Sequence, residues 1–68
     1  MNRVLLGVRG LEDPINVEKV LDALRKIKGV EGVNHPHPGQ IEVIYDSSLT
    51  VMDFIRTIRG VGFLAGML

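Results

Sequence analysis

The stretch Gly10-Leu11-Glu12-Asp13-Pro14-Ile15-Asn16 decides how this chain folds. Asp13 followed by Pro14 is typical of a helix start, because the Asp side chain accepts hydrogen bonds from first-turn amides and proline suits the first helical position. The aliphatic run from Arg3 to Arg9 that precedes it is typical of a strand. The sequence therefore predicts a strand that passes through a short loop into a helix, a junction at which small domains often place binding residues.

The first helix is predicted from Pro14 to Lys28, with Gly29 as its C-terminal cap. Apolar residues recur at spacings of three and four along this run, which is the pattern of a helix with one buried face. They are Val17, Val20, Leu21, Leu24 and Ile27.

A hairpin and a second helix are predicted next. Strands from Val30 to His35 and from Gln40 to Asp46 are joined by the turn Pro36-His37-Pro38-Gly39, and alternation places Ile41, Val43 and Tyr45 inward. Ser47, Ser48 and Thr50 offer N-caps for the second helix, whose buried stripe is Val51, Phe54, Ile55 and Ile58. Gly60-Val61-Gly62 ends this helix, and Phe63 to Leu68 is predicted as the last strand.

The resulting order, βαββαβ, predicts an α+β fold of the ferredoxin-like kind, with two helices on one face of an antiparallel four-stranded sheet. We expect residues 1–68 to form one such domain. In this topology the first loop, the central hairpin and the turn into the last strand lie at the same end of the sheet. Asp13 and Asn16, His35 and His37, and the segment from Gly60 to Phe63 are therefore predicted neighbours.

Composition excludes several classes of function. Eight Lys and Arg balance eight Asp and Glu, so nucleic-acid binding is not expected. Cysteine is absent, which excludes disulfides, thiolate metal ligands and thiol nucleophiles. No run approaches the ~20 apolar residues of a membrane span, and no signal peptide precedes the fold, so we expect a soluble, cytoplasmic protein. No catalytic constellation is present, and we do not expect an enzyme.

Three short motifs follow one another along the chain: Gly29-Val30-Glu31-Gly32-Val33, Val43-Ile44-Tyr45-Asp46 and Gly62-Phe63-Leu64-Ala65. With them, nearly the whole chain resembles the heavy-metal-associated domain of copper chaperones (the Atx1 and CopZ kind) and of heavy-metal P-type ATPases. The resemblance implies a metal-binding, metallochaperone-like function. It also places Asp13 and Asn16 at the positions of the family's two metal-binding cysteines, and Leu11 at that of its loop methionine. A Cu(I) site of the family's kind cannot form there, because soft monovalent copper prefers thiolate sulfur over oxygen.

An ACT-type regulatory domain has the same element order and also favours Asp and Pro in its first loop. It matches less well, because Tyr45-Asp46 and Gly62-Phe63-Leu64-Ala65 belong to the heavy-metal pattern.

His35 and His37 are candidate metal ligands, since Pro36 and Pro38 stiffen an extended segment from which both rings could project to one side. Neutral imidazoles can bind Zn²⁺, Ni²⁺, Cu²⁺ or Co²⁺, and Asp13 would complete a set of two histidines and one carboxylate. Such binding would be lost below about pH 6 as the imidazoles protonate. The alternative is that both histidines are polar residues of a rigid hairpin tip.

Asp13 and Asn16 also have two interpretations. They could serve as oxygen ligands of a hard metal, together with further donors such as Glu12. Alternatively, Asp13 is only the helix cap and Asn16 a solvent-facing residue of the first turn.

The sheet face without helices offers an interaction surface for a protein partner or a homodimer. The residues predicted to form it are Leu5, Ile44, Leu64 and Leu68. Phe63 is instead expected in the core, on the face that it shares with Ala65 and Met67. Two hypotheses of function follow. In the first, the chain is a metallochaperone-like domain that binds a divalent metal; in the second, it is a metal-independent module for protein interaction or dimerisation.

Overall fold

A computed structural model describes all residues from Met1 to Leu68 and has the predicted βαββαβ order. The four-stranded sheet has the strand order β2-β3-β1-β4, and every neighbouring pair is antiparallel. This confirms the predicted fold class. Neither helix is long and apolar enough to cross a membrane. The elements are β1 (Asn2–Val8), α1 (Pro14–Arg25), β2 (Val30–Asn34), β3 (Gln40–Tyr45), α2 (Val51–Gly60) and β4 (Ala65–Met67).

The predicted end of α1 is wrong. The helix stops at Arg25 with Lys26 as its C-cap, because the amides of Lys26 and Ile27 already turn back to the Leu24 carbonyl. Gly29 belongs to the turn into β2, where its φ of +102° suits glycine and its carbonyl accepts a hydrogen bond from the Asp46 amide.

The strands β2 and β4 are both shorter than predicted. β2 stops at Asn34, next to a segment in which Pro36 has no amide to donate to a ladder. β4 contains only Ala65–Met67, because the Phe63 amide donates to the Ile58 carbonyl and so still belongs to the connection from α2.

The core lies between the sheet and the two helices. Alternate residues of β1 and β3 are buried, which confirms the predicted inward positions of β3. The predicted faces of α1 and α2 also pack on the core, although Val17, Ile27, Val51 and Ile55 are only half-buried. Phe54 is fully buried and meets the Tyr45 ring edge-on, with the ring centroids 4.8 Å apart. The twelve buried residues are Val4, Leu6, Val8, Leu11, Val20, Leu21, Leu24, Ile41, Val43, Tyr45, Phe54 and Ile58.

Three connections meet at one end of the sheet, as predicted. The Val8 amide donates to the Gly39 carbonyl of the hairpin turn at 2.8 Å, and the Arg9 amide donates to the Leu64 carbonyl before β4 at 3.0 Å. The loop between β1 and α1 is thereby tied on one side to the hairpin and on the other to the last strand. We call this region the loop end.

The opposite end contains the turn from β3 into α2. The Asp46 carboxylate accepts hydrogen bonds from the hydroxyl and the amide of Ser48, which lower the pKa of Asp46. Thr50 then starts the helix, with its amide donating to the Asp53 carboxylate at 2.8 Å. The chain is thus turned into α2 by two carboxylates that bind backbone amides.

Asp46 makes the stability of the fold depend on pH. Because its folded-state pKa lies below the ordinary value of 3.8, its contribution is present above about pH 4 and is lost as the pH falls through the folded pKa. We expect Asp46→Asn to be less stable than the wild type at neutral pH, and the difference to shrink as the pH is lowered. Urea unfolding of both proteins from neutral to strongly acidic pH measures this, and a constant difference would contradict it.

Candidate functional site

Asp13 is the N-cap of α1. Its Oδ1 accepts a hydrogen bond from the Ile15 amide at 2.9 Å, and its carbonyl accepts from the amides of Asn16 and Val17. The carboxylate is exposed, so its remaining lone pairs face solvent. The geometry is that of an Asp-Pro helix start.

Asn16 differs from the solvent-facing residue that we expected as one alternative. It is half-buried, and its Nδ2 donates to the Gly10 carbonyl at 3.0 Å, which closes the loop on itself. Gly10 has a φ of +90°, and a Cβ atom there would lie 3.2 Å from the ring of Phe63. Asn16, Gly10 and Phe63 therefore form a compact layer across the loop end.

The predicted core placement of the residues around β4 is only partly correct. Phe63 and Ala65 are half-buried and pack against the core, but Met67 is 65% exposed. Met67 pairs with Leu6 from β4, which is the edge strand of the sheet.

His35 and His37 are both exposed on the connection between β2 and β3, and only His35 lines a cavity together with residues of the first loop. Between this connection and the start of α1 lies an open groove with a volume of about 390 Å³. We call it the loop-end groove. Its lining residues are Leu11, Glu12, Pro14, Val17, Glu18, His35 and Pro38.

The loop-end groove has an apolar floor and an acidic rim. Leu11, a loop residue, is 5% exposed and belongs to the core, and Val17 packs beside the core. Glu12 makes no ion pair, whereas Glu18 lies 3.6 Å from the guanidinium of Arg25. The groove thus offers apolar contact and an unneutralised carboxylate within the same small volume.

The residues at this end do not fit a soft metal ion. The chain has no thiolate to offer, and the side chains of Asp13 and Asn16 already bind backbone groups of the loop. No group of three or more His, Cys, Asp or Glu side chains converges so that it could hold a metal ion. His35, His37 and Asp13 are accordingly not brought together as one ligand set.

The sheet face opposite the helices carries the four predicted surface residues, and two of them, Leu5 and Leu68, are cross-strand neighbours, since the Leu68 amide donates to the Leu5 carbonyl at 3.2 Å. Leu5 is 37% exposed, Leu64 59% and Leu68 68%, and Ile44 is half-buried. Polar contacts that cross the strands separate Ile44 from the others, because Glu42 pairs with Arg3 at 3.4 Å and accepts a hydrogen bond from Asn34 at 3.0 Å.

Sequence reasoning missed the loop-end groove. Its apolar floor depends on Leu11, an apolar residue that is followed in the loop by the charged residues Glu12 and Asp13. The sequence feature that indicates the groove is Leu11 itself. It is an isolated apolar residue between a predicted strand and a predicted helix, and it belongs to the apolar pattern of neither.

Removing the two side chains that hold the loop should cost stability without unfolding the protein. We expect Asp13→Ala and Asn16→Ala each to lower the free energy of unfolding by about 1 kcal/mol, through a lost helix cap and a lost hydrogen bond. Chemical denaturation measures both. Asp22→Ala is the matched control, since that exposed carboxylate on α1 binds only Arg25, and its effect should be under about 0.5 kcal/mol. Equal losses in all three variants would contradict the assignment.

The fold is that of solved copper-handling domains. A copper-binding domain from HMA7, a P-type ATPase, superposes over 100% of this chain and 95% of its own with a TM-score of 0.94 at 24% identity, which shows the fold alone. The yeast copper transporter domain CCC2A is 25% identical, with 100% and 96% coverage and a TM-score of 0.91. The CopZ metallochaperone is 27% identical, with 96% and 100% coverage and a TM-score of 0.87.

No family model matches the sequence, and no curated protein matches it. The similarity is therefore carried by the three-dimensional structure. The chain has the fold of the heavy-metal-associated domains of copper chaperones and copper-transporting ATPases, in a version that contains no cysteine.

Proposed function

We propose that this chain is a protein-binding module built on the metallochaperone fold, which docks to its partner through the loop end without carrying a soft metal. The observation that carries the proposal is the state of Asp13 and Asn16. At the positions where the resemblance places two thiolates, both side chains are engaged in hydrogen bonds that shape the loop. The loop end is thereby held in shape without a metal.

The loop-end groove supports a docking role for this end. Leu11 and Val17 supply apolar contact, and Glu12 supplies a carboxylate that no cation neutralises. A chain segment that carries a Lys or Arg next to an apolar side chain complements both features. The partner proposed here therefore presents a basic and apolar segment to this groove.

The structural neighbours suggest the class of that partner. They include a copper transporter domain, a copper-binding domain of a P-type ATPase and a metallochaperone. A cysteine-free chain of the same fold suits a regulatory or competing role among proteins of metal transport, because it can present the same shape without exchanging the ion.

Restoring the two thiolates tests the metal-free part of the proposal. We expect the wild type not to bind Cu(I), and Asp13→Cys/Asn16→Cys to bind about one Cu(I) per chain, because the scaffold would place two sulfurs at the start of α1. Competition with a chromogenic Cu(I) chelator under anaerobic conditions measures both, with Asp13→Ser/Asn16→Ser as the sulfur-free control. Wild-type binding as tight as that of the cysteine variant would refute the proposal.

Selection from a random peptide library tests the docking part. We expect the wild type to enrich peptides with Lys or Arg beside an apolar residue, and Glu12→Lys to weaken their binding about tenfold or more. Glu31→Lys is the matched control, because it makes the same charge change at an exposed position on β2 outside the groove. Equal weakening by both variants would show nonspecific attraction and would contradict docking at the groove.

A second candidate function is divalent-metal binding through His35 and His37 alone. The observation that favours it is the exposure of both imidazoles, with His35 in the lining of the groove that also contains Glu12 and Glu18. Calorimetry with Zn²⁺, Ni²⁺, Cu²⁺ and Co²⁺ at about pH 7.5 decides it. Binding that His35→Ala/His37→Ala abolishes supports this function, and absence of binding excludes it.

A further inference from the structure

The strand β4 leaves backbone groups unpaired at the edge of the sheet. The Leu64 carbonyl accepts from the Arg9 amide at 3.0 Å, and the Leu68 amide donates to the Leu5 carbonyl at 3.2 Å. Since backbone groups alternate along an antiparallel strand, the N–H and C=O of Ala65 and Met67 point away from β1. No turn, loop or cap hydrogen bond uses those groups.

The two edges of the sheet differ in their protection. β2, at the other edge, has a register irregularity between Val30 and Gly32 and an exposed charge at Glu31, which are features that discourage pairing with another chain. β4 and its flanking residues, from Phe63 to Leu68, contain no charged side chain, no proline and no bulge. The edge formed by β4 is therefore open to another strand.

The sequence of β4 complements itself. When two copies run antiparallel about a twofold axis at Gly66, Ala65 of each faces Met67 of the other, so the outward N–H and C=O groups of both residues bond in pairs. Gly66 then meets its counterpart at a position without hydrogen bonds, where side chains come closest. A Cβ at Gly66 has no neighbour within 4 Å, and the missing side chain leaves room for the second copy.

The same register covers the apolar side chains that the monomer leaves in water. Leu64, 59% exposed, faces Leu68 of the other copy, which is 68% exposed, and the axis repeats this contact. Met67, 65% exposed on the other face of the sheet, lies beside the partner's Ala65. Three of the exposed apolar side chains are thereby buried by a single pairing.

We propose that β4 pairs with β4 of a second copy of this chain, which joins two four-stranded sheets into one eight-stranded sheet. The interface uses Leu64 and Leu68 of the predicted interaction surface, and it does not use Ile44. It lies on the outer edge of the sheet and leaves the loop-end groove open, so it does not depend on the proposed docking function. Because β4 has only three residues, the dimer is weak and depends on concentration.

Sedimentation equilibrium of the 68-residue chain between about 10 μM and 1 mM tests the dimer. We expect the apparent mass to rise from one chain to two. Leu64→Lys and Leu68→Glu should each weaken association about tenfold, because each change alters both symmetry-related contacts. The double variant Leu64→Lys/Leu68→Glu should return to within about threefold of the wild type, since Lys at 64 then faces Glu at 68 of the other copy.

Ile44→Lys is the control, because it places the same charge on the open sheet face two strands away from β4 and should leave association unchanged. Hydrogen exchange of the wild-type Ala65 and Met67 amides gives a readout free of mutations, and both should become protected as concentration rises. A mass of one chain at the highest concentration would overturn the proposal. Association that Ile44→Lys disrupts and Leu64→Lys spares would also overturn it.

Discussion

The fold depends on the burial of one face of the sheet under two helices. β1 lies between β3 and β4, and its inward residue Leu6 is fully buried, as are Ile41 on β3 and Phe54 on α2. Each such side chain contributes about 1.5–3 kcal/mol when it leaves water. In a chain of 68 residues this single layer of apolar contacts is the main source of stability, and the polar features of the molecule are built around its margins.

The loop end shows how such a margin can be kept in shape without a metal. Asp13 satisfies the first amides of α1, and Asn16 holds the Gly10 carbonyl, so the loop has its own internal hydrogen bonds. Phe63 packs over Gly10 from the side of the last strand. A loop that is ordered by its own side chains can present a fixed surface to another protein, which is the physical basis of the proposed docking without ion transfer.

The two faces of the sheet differ in burial, and its two edge strands differ in regularity. The inner face is covered, and the open face is crossed by the Arg3–Glu42 pair and by the Asn34 side chain, which break up its apolar residues. The β2 edge is irregular and the β4 edge is regular. Apolar exposure is consequently concentrated at β4, where backbone groups are also unpaired, and the two features together favour a strand as the partner.

Much of the fold could be read from the sequence alone. A period of two fixed the inward residues of β1 and β3, a spacing of three and four fixed the buried faces of both helices, and Asp13-Pro14 fixed where α1 begins. The absence of cysteine excluded thiolate chemistry directly. These features follow from the chain because a repeat determines which way a side chain points relative to its own element.

Only the tertiary structure determined which residues of different elements come into contact. It buried Leu11 in the core, turned Asn16 towards Gly10, and brought His35 but not His37 into the lining of the loop-end groove. These outcomes depend on distances between α1, the hairpin and β4, and no local repeat encodes such distances. They are set by how the apolar faces pack, because a close-packed core allows few relative positions of the elements that it joins.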